Sequence, residues 1–183
     1  MPATRSSQQL TLQSFGEISR FLREGVADEE SRQLRDSLGM LSNHIDNAVR
    51  TRRTGTDAAA ITGRVVALST CAREHQLFLT GLGSGWHALY EFGAYQRALR
   101  ELRTAIAQWL ETLQRRSPRE HAAFDAFELL AWRTLGEALL LIDMYEHSSD
   151  PPSELPPLNR PARRTGTLGR MLGWLWGWRK PKR

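Results

Sequence analysis

The stretch Gly81-Leu82-Gly83-Ser84-Gly85-Trp86-His87-Ala88-Leu89-Tyr90-Glu91-Phe92-Gly93-Ala94 lies at the centre of a 183-residue chain. Its three alternating glycines suggest a phosphate cradle, and the aromatic run behind them suggests a buried helix. A nucleotide loop needs a strand before it and a helix after it, so that the phosphate meets the helix N-terminus. Here a helical pattern precedes the glycines, the spacing is G-x-G-x-G rather than G-x-G-x-x-G, and no Gly-Lys-Ser/Thr follows. The stretch reads as a turn that launches a helix near Trp86, with Ser84 as its cap.

Helical spacing dominates on both sides of this turn. Leu12, Phe15, Ile18 and Leu22, with Phe21 alongside, follow one helical face that Gly25 ends, and Ser14 and Glu17 have capping-box spacing. Leu34, Leu38, Leu41, Ile45 and Ala48 or Val49 form a continuous stripe, with Arg32, Arg35, Asp36, Asn43 and Asp46 elsewhere on the wheel. Residues 51–57 (TRRTGTD) read as a loop, and a third helix from about Ala58 turns Ile61, Val65, Leu68 and Ala72 inward. Beyond the glycines, Leu89, Phe92, Leu99, Leu102, Ile106, Trp109 and Leu113 predict helix from Trp86 to about Arg115, long enough to be two helices joined by a tight turn. Ser117-Pro118-Arg119-Glu120 has the residues of a capping box with proline in the first turn. The helix it starts carries Phe124, Phe127, Leu130, Ala131, Leu135, Leu139 and Ile142 and fades near His147. No strand alternation, Asn-Gly hairpin or internal repeat stands out. The expected fold class is all-α, a bundle of six to eight helices over residues 1–147.

Charge and composition divide the rest of the chain. Hydrophobic residues make up 40% of the sequence, enough for a core. Residues 148–165 hold five of the eight prolines and few apolar side chains, which predicts a flexible linker. Residues 166–183 form a basic, tryptophan-rich tail. From Arg160 onward there are eight basic residues and no acid; without them, 17 basic residues face 20 acidic ones. The net charge of +5 therefore belongs to the tail, and a mildly acidic body argues against nucleic acid as a partner. The single cysteine, Cys71, excludes an internal disulfide framework, and MPATRSSQQL lacks the apolar core of a signal peptide.

No catalytic constellation emerges. His44, His75, His87, His121 and His147 are scattered without metal-ligand spacing, so neither a metal nor a cofactor is expected. Cys71 reads as a small buried apolar residue, and Glu29 and Glu30 as acids favouring a helix start. The chain is expected not to be an enzyme.

Several segments resemble, in order, the homology motifs of the Bcl-2 family of cell-death regulators. Gln76-Leu77-Phe78-Leu79-Thr80-Gly81-Leu82-Gly83-Ser84-Gly85 resembles the family's E-L-F-x-D-G-V-N-W-G-R, and Ala88-Leu89-Tyr90-Glu91-Phe92-Gly93-Ala94 its A-F-F-E-F-G-G. Ile106-Ala107-Gln108-Trp109-Leu110 is similar to I-A-x-W-M, and His121-Ala122-Ala123-Phe124-Asp125-Ala126-Phe127 to N-G-G-W-D-A-F. Upstream, Leu34, Leu38 and Gly39, with Leu41 and Ile45, resemble the third motif. The likeness spans roughly residues 30–130. It departs from the family at Trp86, where a groove arginine is expected, and at Met40, where an aspartate is expected. Arg64 or His87 could take that arginine's place in space.

The resemblance implies a bundle around a buried hairpin formed by residues 86–115. It also implies a surface groove for amphipathic helices of pro-apoptotic family members, with Phe78, Trp86, Leu89, Tyr90, Phe92, Phe124 and Phe127 divided between core and groove wall. The Leu34–Ile45 stripe is expected to pack into its own bundle, and the missing aspartate suggests an inhibitory regulator. In the tail, Arg170 interrupts an apolar run too short to span a bilayer. Leu172, Trp174, Leu175, Trp176 and Trp178 beside Arg179 and Lys180 suit the surface of an anionic membrane, expected to be intracellular, at the mitochondrion or endoplasmic reticulum. The alternative is a helical membrane-surface scaffold or adaptor unrelated to cell death.

Overall fold

The stripe Leu34, Leu38, Leu41, Ile45 and Ala48 is fully buried and sets the architecture around it. The computed structural model describes residues 14–24, 29–55 and 57–148, which form helices and no strand. The elements are α1 (Phe15–Glu24), α2 (Glu29–Thr54), α3 (Ala58–Thr80), α4 (Ser84–His87), α5 (Tyr90–Gln114) and α6 (Glu120–Ser148). Helix α2 packs on α1, α3 and α6, while α5 packs on α3 and pairs along its length with α6. One core joins Phe15, Ile18 and Leu22 of α1 to the α2 stripe, to Val65, Leu68 and Ala72 of α3, and to Leu99, Leu102, Ile106, Leu135 and Leu139 of the α5–α6 pair. Each large aliphatic side chain removed from water in this way contributes about 1.5–3 kcal/mol.

Helix α1 crosses α2 closely at Gly39, where a Cβ would lie 3.4 Å from Arg23 Cγ. Ser19 Oγ donates to the Gly39 carbonyl at 3.0 Å and Ser42 Oγ to the Phe15 carbonyl at 2.6 Å, so buried hydroxyls lock the crossing. The expected cap of α1 forms: the Glu17 N–H donates to Ser14 Oγ at 3.2 Å. Helix α2 runs further than expected and absorbs Thr51 to Thr54, so its loop to α3 is short. Asp57 caps α3 by accepting from the Ala59 N–H at 2.9 Å.

Three expectations are corrected. Ser84 does not cap the helix near Trp86; Gly83 holds the cap position and Ser84 is the first helical residue. Residues 86–115 do not fold back as a hairpin. The chain turns at Ala88 and Leu89, and α5 then runs unbroken to Gln114 with Arg97, Arg100, Glu101 and Gln108 exposed along one face. The hairpin of this fold is α5 with α6. Finally, Arg35 and Asp46 are buried, because each has an ionic partner: Glu146 for Arg35 and Arg50 for Asp46.

The α5–α6 turn uses an unusual residue. Ser117 N–H donates to the Thr112 carbonyl at 2.9 Å and Arg116 N–H to the Leu113 carbonyl at 3.1 Å. This is the paired closure of a Schellman motif, whose left-handed position normally favours glycine. Arg116 occupies it with φ 49°.

Candidate functional site

The seven aromatic and aliphatic residues assigned to a groove separate into two groups. Trp86 is fully buried and stacks on Tyr145 with ring centroids 3.5 Å apart, while Phe92 meets the His87 ring at 4.4 Å. Phe124 and Phe127 lie at the other end of the hairpin against Trp109, at 5.1 and 4.8 Å. Phe92 and Trp109 are 17 residues apart on α5, which at 1.5 Å per residue is about 25 Å. Phe78 and Leu89 are half-buried, and Tyr90 is 80% exposed. These side chains do not line one groove, and four of them are core. Leu34, Leu38, Gly39, Leu41 and Ile45 also face inward, as the amphipathic stripe predicted. Of the two basic residues offered in place of the groove arginine, His87 stands beside Phe92. Arg64 sits near the start of α3, 17 residues or about 25 Å of helix before Gly81.

The glycine turn has a packing role. Around Gly83 and Gly85, the start of α2 and the end of α6 come close. A Cβ at Gly83 would lie 3.4 Å from the Glu30 carboxylate, and one at Gly85 would lie 3.5 Å from Tyr145. The Tyr145 hydroxyl donates to Glu30 at 2.8 Å. Next to it, Arg35 donates to both oxygens of Glu146 at 2.7–2.9 Å, and Ser31 Oγ adds a bond of 2.7 Å. Arg35 Nη1 and Trp86 Nε1 are buried without a hydrogen-bond partner among the described residues. A buried unsatisfied donor costs about 1–3 kcal/mol, so this corner fixes the geometry of α2, α4 and α6 at an energetic cost.

A second polar assembly crosses the core. His75, 2% exposed, places Nδ1 2.6 Å from Ser37 Oγ and Nε2 2.5 Å from the Tyr95 hydroxyl. Burial drives the imidazole pKa down to about 4, so the ring is neutral at physiological pH. The Tyr95 phenol is fully buried and held well above its usual range by desolvation. Its proton goes to Nε2, which assigns the ring proton to Nδ1, donating to Ser37. A Ser–His pair can begin a hydrolytic triad, in which a carboxylate orients the ring so that its lone pair faces the serine. Here a neutral phenol imposes the opposite tautomer, and Ser37 has no base. The assembly ties α2, α3 and α5 together. Cys71, half-buried on the same helix as His75, has its thiol pushed up to about 11, chiefly by burial, and is not a nucleophile at neutral pH.

Glu120 organises the far end of the hairpin. It accepts two bonds from the Arg52 guanidinium, at 2.7 and 2.6 Å, and one from Trp109 Nε1 at 2.8 Å. The Arg52 hydrogen bond is the main reason its carboxyl pKa lies below the usual range. Arg52 also lies 5.6 Å from the Phe124 ring centroid. The expected capping box is thus half made. Ser117 Oγ accepts from the Arg119 N–H at 3.2 Å, but the glutamate is directed into the bundle.

Sequence inspection missed the His75 assembly, although the signal was present. His75 continues the inward stripe Ile61, Val65, Leu68, Ala72 towards Leu79, and a histidine on an apolar stripe calls for polar partners. A shallow open depression between α5 and α6 is lined by Glu101, Thr104, Ala105, Gln108, Ala126 and Leu130. Among the described residues no group of three His, Cys, Asp or Glu side chains is arranged to hold a metal, and no helix is long and apolar enough to cross a membrane. The linker and the tail with Arg170, Leu172, Trp174, Leu175, Trp176, Trp178, Arg179 and Lys180 lie outside the described residues. No family model matches the chain, and neither a curated protein nor a solved structure matches it.

Proposed function

We propose that this protein is a non-enzymatic adaptor acting at a membrane surface. Its helical body binds proteins, and its C-terminal segment attaches it to anionic lipid. The observation that carries this reading is the tail itself. Trp174, Trp176 and Trp178 stand at alternate positions between Arg170 and the cluster Arg179, Lys180, Lys182 and Arg183, in a stretch free of acids from Arg160 onward. Indole rings partition to the headgroup boundary and cationic side chains add attraction to anionic lipid, about 1 kcal/mol each near the surface. Flotation with phosphatidylserine-containing vesicles tests it. The full chain rises with the vesicles, and a chain ending at Asn159 remains below. Equal flotation of both would remove the anchor.

A second reading, regulation of cell death by capture of a partner helix, is supported by the order of the motif-like segments between residues 30 and 130. It requires rearrangement, because Trp86, Phe92, Phe124 and Phe127 are occupied in packing. Calorimetric titration with a panel of amphipathic helices from pro-apoptotic proteins separates the readings. Saturable binding supports the second, and a folded protein that binds none of them eliminates it.

A further inference from the structure

Four arginines gather on the face of the bundle formed by α3 and α5. On α5, three-residue steps set Arg97, Arg100 and Arg103 about 60° apart in turn around the helix. Arg97 and Arg100 lie opposite the buried side of that helix and are exposed. Arg103, nearer α3, is half-buried and donates to Gln76 Oε1. On α3, Arg73 is exposed and lies about 60° outward of Gln76. The two helices are joined by the turn at residues 81–89 and run antiparallel, and the His75–Tyr95 and Gln76–Arg103 contacts set Arg73 level with the stretch from Arg97 to Arg103. Among the described residues none of the four joins an ion pair, whereas Arg52 and Arg133 each lie on a glutamate. The exposed acids of these helices do not neutralise the face. Glu101 is held by Arg133 and Glu111 by Arg115, while Glu74 projects towards the α2 side of α3, about 100° from Arg73.

Apolar side chains share this face with the cations. Val66 and Leu77 lie within about 40° of Arg73 around α3, and Leu77 is 65% exposed. On α5, Tyr90 stands seven residues before Arg97 and is likewise exposed, and Arg97 leans back over Gly93, its Nη1 3.9 Å from a Cβ built there. The phosphates of a nucleic acid would engage the arginines but leave Val66 and Leu77 in water. An anionic bilayer accepts both kinds of group: its headgroups take the guanidinium ions, and aliphatic and tyrosine side chains settle at the boundary beneath. The chain also leaves the bundle beside this face. Helix α6 ends at Ser148, three residues after Tyr145, which stacks on Trp86 next to the start of α5. The attachment point of the basic tail therefore stands at the Tyr90 end. We infer that the α3–α5 face is a second lipid contact, lying on the anionic bilayer that the tail engages and holding the body in one orientation. This rests on the membrane-surface reading above, and two contacts on one chain strengthen each other through effective concentration.

Partitioning of the full chain onto phosphatidylcholine vesicles with and without phosphatidylserine tests the inference. The wild type binds the anionic vesicles more tightly. Each arginine near a charged membrane contributes about fivefold, so combining Arg73→Gln, Arg97→Gln and Arg100→Gln weakens binding by on the order of a hundredfold. Combining Arg20→Gln, Arg64→Gln and Arg119→Gln removes the same charge from other faces and weakens it by less than about tenfold. All six arginines are exposed and outside the ion pairs of the bundle, so helical circular dichroism is unchanged in both variants. Leu77→Glu, at an exposed position, weakens binding by about tenfold. Equal losses in the two triple variants overturn the inference. So does a patch variant that binds like the wild type, which leaves the tail as the anchor. Truncation after Asn159 tests the tail separately: binding that survives truncation but not the patch substitutions removes the tail and keeps the face. A full chain indifferent to phosphatidylserine overturns both, and one that prefers RNA to the vesicles at equal salt overturns the lipid assignment.

Discussion

Replacing His75 by glutamine should remove a defined part of the acid sensitivity of this fold. The ring is buried with its pKa near 4, against 6.5 for an unperturbed histidine. Both ring nitrogens are engaged, by Ser37 of α2 and Tyr95 of α5. Above pH 6.5 the ring is neutral in both states and contributes no pH dependence. As pH falls from 6.5 towards 4 the unfolded chain takes a proton that the folded chain refuses, so stability is lost over that window. The full loss is the pKa difference at about 1.4 kcal/mol per unit, hence about 3 kcal/mol, of which about 2 kcal/mol is gone by about pH 5. Urea denaturation of wild type and His75→Gln at a series of pH values reads this directly. With a urea slope near 2 kcal/mol per molar, the wild-type midpoint should drop by about 1 M more than the variant's between about pH 7 and pH 5. The variant starts less stable at neutral pH because glutamine cannot satisfy both partners, but that deficit narrows on acidification. Other titrating groups are common to both proteins and cancel in the difference. Parallel midpoint curves over this range would show that His75 is not held neutral by burial.

Two further changes probe the hairpin. Glu120→Ala leaves the Arg52 guanidinium and Trp109 Nε1 without their shared acceptor. Hydrogen bonds to charged groups are worth about 1.5–3 kcal/mol; since Arg52 retains some exposure to water while Trp109 is fully buried, a net loss of about 2–3 kcal/mol is expected in urea denaturation at neutral pH, and a loss below about 0.5 kcal/mol would contradict the junction. Arg116→Gly relieves a left-handed backbone at φ 49°. It should stabilise the protein by about 1 kcal/mol and raise the melting temperature by about 2–4 °C; a lower melting temperature would show that the arginine side chain, not its backbone, matters at that turn.

The helices were legible because their causes are local. The Leu34–Ile45 stripe, the Ser14 cap and the break at Ser117-Pro118 each declare themselves within a few residues, and each appears in the fold. Side-chain partners were not legible, because partnership is a long-range property. Arg35 looks like a solvent-facing arginine until Glu146, 111 residues away, closes on it. Glu120 has the spacing of a capping residue, yet Arg52 and Trp109 claim it from other helices.

Aromatic residues expose the same limit at the candidate site. Trp86 and Tyr90 lie four apart in one motif-like run, and composition gives no reason to separate them. The backbone does. The chain turns at Ala88 and Leu89, which sends Trp86 under Tyr145 and leaves Tyr90 at the exposed start of α5. A groove inferred from aromatic residues close in sequence requires them to share a face, and one tight turn between them removes that condition. A Cβ at Gly83 or Gly85 would stand in ordinary contact with Glu30 or Tyr145, so the turn lies close against the start of α2 and the end of α6. The stretch that first suggested a phosphate loop is therefore a turn that sends one of two neighbouring aromatic residues into the core and leaves the other at the surface.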